Sequence, residues 1–442
     1  MLMKMISSTT CSVLTIKGRV HTTMKTIKIS LVVLLLALVI TPLTGALYSP
    51  DKDGYALAGQ QFIGTSVRVQ GMGGAGYGVK GYHDSFLFNP ANLAGSRFKL
   101  SLPSITVTAH NVQSILASGA IDEFVDGGDD GMIQGAMDLL GTIKKGYGDF
   151  LTTDISTTFT LGGFGLSIQA QERLMTYNKK GTTSQSKLIA QLTAAVTLGY
   201  GLNIKAVPNI LDIDVGVSVQ AVYKAYSKTI GAVDLIDKID DDFDAGKFFL
   251  AELPMAAGWG VPISIGANLN FPYGLSLSLV AGNINGNYKM ATYGSLNDWG
   301  EEVFNTRWSD DPNASGAVSE SEWALKVPWT LGFGFTWAPT FLGNIIKPTI
   351  AIDVVDVLAL GGNTGEALTR AFLEQTRLGA SVRLLSMFDV RYGLNQGYQS
   401  LGVGFDLLVF HIDAAYYTRE YGKSIGDKPI DALSLRFSIG SR

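Results

Sequence analysis

From Phe98 to the end of the chain, apolar and polar residues alternate with a period of two in one stretch after another. Ile213, Val215, Val217 and Val219 alternate with Asp214, Gly216, Ser218 and Gln220; Phe164, Leu166 and Ile168 alternate with Ser167, Gln169 and Gln171. Later, Leu401, Val403 and Phe405 face Gly402, Gly404 and Asp406, and Leu433, Leu435 and Phe437 face Ser434, Arg436 and Ser438. Such a period puts one side-chain set on each face of a strand. The polar set is small or charged and supplies no second hydrophobic layer, so a soluble sandwich is disfavoured. About fourteen segments of roughly ten residues follow, the length of tilted strands that cross a bilayer. The expected segments are 98–110, 151–161, 163–177, 187–201, 211–227, 257–269, 273–283, 328–338, 347–357, 376–386, 387–395, 399–407, 408–418 and 431–440. A closed barrel is the sheet that leaves no unpaired backbone in lipid.

The connections fall into two alternating sets. Gly162-Gly163, Asn203–Ile210, Asn270–Pro272, Pro339–Ile346, Ser386 and the Leu407-Leu408 step are short; 111–150, 178–186, 228–256, 284–327, 358–375, 396–398 and 419–430 are generally longer and polar. Short turns at one end and long loops at the other are the habit of transmembrane barrels. Two long loops have helix-like apolar spacing, at 131–145 and 232–250. The fold class predicted is all-β, a transmembrane antiparallel barrel of about 14 strands.

Composition agrees. Charged residues are 16% of the chain and glycine 52 of 442, against roughly 25% and 7% in ordinary soluble proteins. The twelve-residue apolar run Ile29–Ile40 follows Lys25 and Lys28 and precedes Gly45-Ala46, the order of a secretory signal peptide, and it is too short for a membrane helix. Residues 1–46 are therefore expected to be an upstream extension plus signal peptide, with Met24 as the expected start. Of the 34 basic residues five fall in 1–46, which holds no acid, so 29 basic face 38 acidic residues beyond it. That balance argues against a nucleic-acid partner. The one cysteine, Cys11, lies in the extension too.

Residues 64–95 break the alternation. Gly64, Gly71, Gly73, Gly74, Gly76, Gly78 and Gly81 crowd one stretch, followed by Phe86, Phe88 and Asn89-Pro90-Ala91. Glycine at this density permits close backbone approach, and the stretch reads as a plug enclosed by the strands, anchored at the wall and free at its N-terminal end. Gly71-Met72-Gly73-Gly74-Ala75-Gly76 also fits G-x-G-x-x-G after a candidate strand, Ser66–Gln70, but no helix-forming sequence or βαβ pattern follows, so a dinucleotide site is not expected.

Candidate chemistry is thin. His83, His110 and His411 are scattered without metal-ligand spacing; His411 near Asp413 would serve a rim hydrolase, but both share the polar parity of a strand and fit a structural network better. Asp353, Arg377, Arg383, Asp389, Arg391, Asp406, Asp413 and Arg436 share that parity, and mixed signs predict paired charges that tie strand to plug rather than a single-sign selectivity ring. No catalytic residues, metal or cofactor are expected. Tyr223, Trp259, Tyr273, Trp329, Trp337, Tyr392, Tyr416 and Tyr417 fit interfacial girdles. Phe243, Phe248 and Phe249 in one long loop, and Trp299, Phe304 and Trp308 in the next, are surplus to a girdle and suit an apolar landing site.

The run Ser85-Phe86-Leu87-Phe88-Asn89-Pro90-Ala91-Asn92-Leu93-Ala94, after a glycine-rich start and before about fourteen strands, resembles the FadL/TodX family of outer-membrane transporters for long-chain fatty acids and other hydrophobic compounds. Asn92 stands where the family's motif has glycine. The resemblance implies a hatch at 47–97 inside a barrel at 98–442, in the outer membrane of a diderm bacterium, contacting membrane lipid and functioning as a monomer. It implies capture of a fatty-acid-like ligand by loops 228–256 and 284–327, a pocket lined by Phe86 and Phe88, and sideways exit beside a kinked third strand, 163–177. Barrels of the PorV type share this plan, so a secretion-partner or adhesin role is the alternative expectation.

Overall fold

The computed structural model describes residues 61–126, 128–178, 182, 186–227, 230, 231, 254–306, 319–339, 345–422 and 424–441. The signal-peptide, 47–60 and 232–250 expectations, and Phe243, Phe248, Phe249 and Trp308 with them, lie outside these residues.

The alternating segments hydrogen-bond edge to edge into a single ring of fourteen antiparallel strands. The first five are β1 Lys99–His110, β2 Gly146–Leu161, β3 Phe164–Asn178, β4 Ser186–Val207 and β5 Leu211–Ser227. Three strands come in two pieces: β6 Met255–Gly260 and Ile263–Asn270, β7 Leu275–Ile284 and Tyr288–Tyr293, and β8 Ser319–Leu325 and Thr330–Trp337. The remainder are β9 Ile346–Val354, β10 Thr376–Leu384, β11 Phe388–Asn395, β12 Tyr398–Leu407, β13 Phe410–Glu420 and β14 Pro429–Ser441. A short piece, Ile230–Gly231, pairs with the outer end of β4. Pairing of β1 with β14, Val107 opposite Leu435 and Ile105 opposite Phe437, closes the ring.

Period-two patterning sets the faces. On β4, Leu192, Val196, Leu198 and Leu202 are exposed outward, while Gln191, Thr193 and Thr197 are buried inward. An apolar outer wall with no free edge suits a bilayer. Among the described residues no helix is long and apolar enough to cross one. Trp259, Tyr273, Trp329 and Tyr392 are exposed as a girdle requires, but Tyr417 is not: it has the inward parity of β13 and is buried.

Loop 284–327 is shorter than expected, because the upper pieces of β7 and β8 belong to the wall, and 228–256 gives up Met255 and Ala256 to β6. The ladder between β6 and β7 passes from Ile263 opposite Ile284 to Trp259 opposite Lys289, and that between β7 and β8 from Gly282 opposite Thr330 to Tyr288 opposite Leu325. Pro262 and Pro328 sit in the interruptions, where proline cannot donate to a ladder. Asparagine side chains bridge the gap: Asn283 Nδ2 donates to the carbonyls of Val327 and Pro328, both at 3.0 Å, and Asn287 Oδ1 accepts from Val327 N–H at 3.3 Å. The third strand is not the interrupted one. β3 pairs without a gap from Phe164 to Asn178 with β4, and with β2 it shows one bulge, opposite Asp149–Leu151. The expected side opening beside β3 is thus absent from this structure, and the wall's irregular sector lies at β6–β8.

The helices are short: α1 Val67–Gly71, α2 Ser85–Phe88, a 3-10 turn Pro90–Leu93, α3 Val112–Ser118, α4 Ala120–Asp126, α5 Gly128–Gly141, α6 Leu296–Phe304 and α7 Gly365–Gln375. Ser66–Gln70, read as a strand, opens instead as a helix, because Ser66 Oγ caps it by accepting from Val69 N–H.

Candidate functional site

Residues 61–97 pack against inward-facing side chains of strands on different sides of the ring. Clearance for this segment comes from glycines in the wall. Gly201, Gly216 and Gly266 are cross-strand neighbours on β4, β5 and β6. A Cβ on Gly216 would lie 2.3 Å from the Pro90 carbonyl oxygen, and one on Gly201 2.7 Å from the Ala94 nitrogen. A second row, Gly379, Gly393 and Gly402 on β10–β12, faces Gly71–Gly73; a Cβ on Gly393 would lie 2.2 Å from the Gly73 nitrogen. Gly73 has φ +65° and would meet backbone atoms of Leu378 and Leu394 at 2.5 Å. The G-x-G-x-x-G match is therefore used for backbone-on-backbone packing, and a phosphate has no room there.

Polar side chains hold the segment in these troughs. Asn89 Oδ1 accepts from Ala91 N–H at 3.0 Å, while its Nδ2 donates to the Tyr77 carbonyl at 3.0 Å and to Asn268 Oδ1 at 2.8 Å. Asn268 Nδ2 donates in turn to Asn92 Oδ1 at 3.1 Å, and Asn92 Nδ2 reaches the Tyr77 and Ser85 carbonyls, both at 3.1 Å. Asn92 is thus a working part of the anchor. Asp353 Oδ2 accepts from Gly76 N–H (2.6 Å) and Tyr77 N–H (2.9 Å). Asp154 Oδ1 accepts from Thr65 N–H (3.1 Å), Gln169 Nε2 donates to the Ile63 carbonyl (3.0 Å), and Lys80 pairs with Asp214.

Within the segment Arg68 is buried, donates to Asp84 Oδ1 at 3.1 Å and stacks over Tyr82 at 4.0 Å. Burial pushes the Asp84 carboxyl up, but Arg68, His83 and Ser66 outweigh this and hold it well below the usual carboxylate range. The expected mixed-sign pairs are present on β10–β14, but they join strand to strand rather than strand to plug, where Asp353 binds backbone N–H groups instead. Arg391 bonds Asp389 at 2.9 Å and Asp413 at 2.7 Å, Arg436 bonds Asp413 at 2.8 Å, and Arg383 pairs with Asp406. His411 Nδ1 meets Asp406 Oδ1 at 2.8 Å rather than Asp413, so the pairing that a rim hydrolase would have used is absent. Among the described residues no group of three or more His, Cys, Asp or Glu is placed to hold a metal.

Cavities lie on both sides of the segment. One of about 330 Å³ faces the long-loop end, lined by Phe62, Phe88, His110, Arg173, Lys224 and Arg377 among others. Two more, about 370 and 670 Å³, face the short-turn end and share Lys80, Gly81, Tyr82 and Lys99. Phe86 and Phe88 do not share a cavity. Phe86 is buried against Gly165 and Gly199 and borders the 370 Å³ space, whereas Phe88 borders the outer one.

Trp299 and Phe304 sit elsewhere. Ser295 caps α6 by accepting from Asp298 N–H (3.1 Å), and Trp299 Nε1 donates to the Tyr223 hydroxyl at 2.6 Å. Its ring packs beside Met255, Ala257 and Tyr293, which share the outward parity of Trp259. The helix therefore lies on the outside of the wall over β5–β7, with Phe304 exposed and 5.3 Å from Trp299. Neither residue lines a described cavity. The sequence missed this because parity cannot be read across the interrupted strands. It also missed Asn268 and the wall glycines, whose only signal is glycine or asparagine at inward positions.

No family model matches the sequence, and no curated protein matches it. Among solved structures the chain is similar to the CymD monoaromatic hydrocarbon channel, with 11% identity and a TM-score of 0.42 over 86% of this chain and 98% of that one. It is similar to the Pseudomonas putida toluene transporter TodX, with 10% identity and a TM-score of 0.41 over 86% and 99%. A Pseudomonas aeruginosa FadL homologue gives 12% identity and 0.40 over 85% and 97%.

Proposed function

We propose that this chain is an outer-membrane channel that captures hydrophobic small molecules, long-chain fatty acids among them, and passes them across the membrane, with residues 47–97 as a hatch inside a barrel formed by 98–442. The observation that carries this reading is the seat of residues 61–97: a motif-bearing segment pinned by Asn89, Asn92 and Asn268 in glycine troughs between cavities at the two ends. A channel blocked by a segment held through side-chain hydrogen bonds and glycine clearances is suited to gating rather than to free diffusion. In this reading residues 1–46 direct export. Phe88 borders the passage, Phe86 holds the hatch to the wall, and Phe243, Phe248, Phe249 and Trp308 contribute to capture from loops 228–256 and 284–327. Trp299 and Phe304 assist from the lipid side. The protein needs no cofactor and acts as a monomer.

Uptake of labelled oleate by cells lacking the protein, compared with complemented cells, tests the proposal; equal uptake, together with no binding by the purified protein, would sink it. A second reading, a barrel that docks a secretion partner or serves as an adhesin, draws on α7, whose Leu368, Phe372 and Leu373 are all exposed. Co-purification of a stoichiometric protein that is lost on Leu368→Ser with Phe372→Ser would favour it.

A further inference from the structure

The charged side chains that line the short-turn end of the lumen are of one sign. Lys80 and Lys99 border both cavities there, Arg97 joins them in the one of about 370 Å³, and Lys347 and Arg383 join them in the one of about 670 Å³. Among the described residues no aspartate or glutamate lines either space, in a chain whose acids outnumber its bases beyond residue 46. The four cations of the larger cavity come from separate elements: Lys80 from the N-terminal segment, Lys99 from β1, Lys347 from β9 and Arg383 from β10. Two are answered within the protein, since Lys80 pairs with Asp214 and Arg383 with Asp406. Lys347 is not. It bonds no described residue, and it stands directly opposite Arg383 across the β9–β10 ladder, a relation in which like charges destabilise a sheet. An anion beside Lys347 removes that cost.

Two further observations say what kind of anion. Thr336 is buried on the inward face of β8, borders the larger cavity, and its hydroxyl has no hydrogen-bond partner among the described residues. Buried hydroxyls are ordinarily paired, and a free O–H donor beside several cations suits a group with several acceptor oxygens. The turn between β10 and β11 then places the cavity relative to the bilayer. Leu385 in that turn is 62% exposed at φ +52°, a backbone region that residues other than glycine seldom take. Its N–H donates to the carbonyl of Ile345, also exposed, at 2.8 Å. The next residue, Ser386, lines the cavity, and its carbonyl accepts from Arg383 Nη2 at 3.0 Å. Apolar tips one residue away from the cationic lining put the cavity beside the headgroups of the leaflet at the short-turn end.

We propose that the short-turn cavity is a binding site for a phosphate group, with Lys347 and Lys99 as its counter-charges and the Thr336 hydroxyl as a donor. The phosphate comes from a lipid headgroup or from a soluble phosphate; both present the same charge and acceptor oxygens to these residues. The site is independent of the transport reading. It lies across the N-terminal segment from the 330 Å³ cavity of the long-loop end, and it recognises charge rather than apolar surface.

The test uses the purified full chain in amphipol and isothermal titration with three probes. Inorganic pyrophosphate has no apolar body, dihexanoyl phosphatidylglycerol carries the phosphate on a lipid, and dihexanoylglycerol is that lipid without the phosphate. Lys347→Gln and Lys99→Gln are each expected to weaken the phosphate-bearing probes about fivefold, and Thr336→Val about threefold. Lys347→Arg, which keeps the charge, should stay within about twofold of the wild type, as should Arg419→Gln at the outer cavity. Added sodium chloride should weaken binding, and heat-modifiable migration on gels checks that each variant is folded. Pyrophosphate binding with these sensitivities supports the site and a soluble source. Binding of phosphatidylglycerol alone, with dihexanoylglycerol excluded, supports the site and a lipid source. The site is overturned if neither phosphate probe binds, if phosphatidylglycerol and dihexanoylglycerol bind alike without pyrophosphate, or if a folded Lys99→Gln, Lys347→Gln double variant binds as the wild type does. None of these results bears on oleate uptake, which tests the transport reading separately.

Discussion

Gly216→Ala separates the seat of the N-terminal segment from the stability of the barrel. Within β5 the added methyl is favourable, since alanine loses less backbone entropy than glycine, by roughly 0.5–1 kcal/mol. Toward the lumen it meets the Pro90 carbonyl at 2.3 Å and the Ala91 nitrogen at 2.6 Å, where ordinary contact begins near 3.4 Å. The Pro90–Ala91 peptide must therefore retreat by about 1 Å, a strain of about 1–3 kcal/mol. A retreat of that size also breaks the 2.8 Å bond from Asn89 to Asn268. Both amides are buried, so this adds about 1–3 kcal/mol. The net expectation is a segment loosened by roughly 2–6 kcal/mol in a barrel that is as stable as before or slightly more so. Heat-modifiable migration on gels reads the barrel, limited proteolysis between residues 61 and 97 reads the segment, and conductance in planar bilayers reads the lumen. The variant should keep its folded migration, gain cleavage and show larger or more frequent openings, whereas Ser218→Ala on the same strand should do none of these. A folded Gly216→Ala barrel with unchanged cleavage and conductance would refute the seat as described.

Other perturbations follow the same reasoning. Asp353→Ala removes the acceptor of the buried Gly76 and Tyr77 N–H groups and should loosen the segment by about 2–4 kcal/mol, visible as faster hydrogen exchange at those two amides. Asn92→Gly deletes the bond from Asn268 and those to the Tyr77 and Ser85 carbonyls; proteolysis should report a loss of about 1–3 kcal/mol rather than a gain. Arg391→Met removes the guanidinium from buried Asp389 and leaves Asp413 with Arg436 in place of two arginines, so the folded barrel itself should lose about 3–5 kcal/mol in urea titrations. For pH, the Asp84 carboxyl is held below its ordinary value, so its contribution is present above the unfolded value near 3.8 and is lost only as pH falls through the lower folded value. Asp84→Asn should accordingly lower the protease resistance of the segment, by a margin below the wild type that stays constant from pH 7 down to about 4.

Much of the wall was legible because period-two alternation is a local property. A strand that buries one face and shows the other to lipid must write that difference into neighbouring residues, so Ile213 to Val219 or Leu401 to Phe405 need no tertiary information to be read. The mixed charges of β10–β14 were legible for a related reason: parity placed them on one face, and opposite signs on one crowded face must pair. Which partner each takes was not, since that depends on register. His411 lies beside Asp413 in sequence number but meets Asp406, directly opposite it on β12.

For the glycine-rich stretch, the sequence by itself determined that residues 64–95 could not be wall and that their glycines serve close packing. Only the tertiary structure decided what they pack against. The segment's conformation depends on glycines and asparagines far away in the chain, Gly216, Gly393 and Asn268, each at an inward position where clearance or a hydrogen bond is needed. An expectation of a free N-terminal end gave way to a buried Phe62, because the apolar surface that holds it is assembled from five strands. The sideways opening expected at β3 gave way to an interrupted sector at β6–β8. There proline and asparagine replace ladder hydrogen bonds, and the break shows only once the strands are aligned side by side.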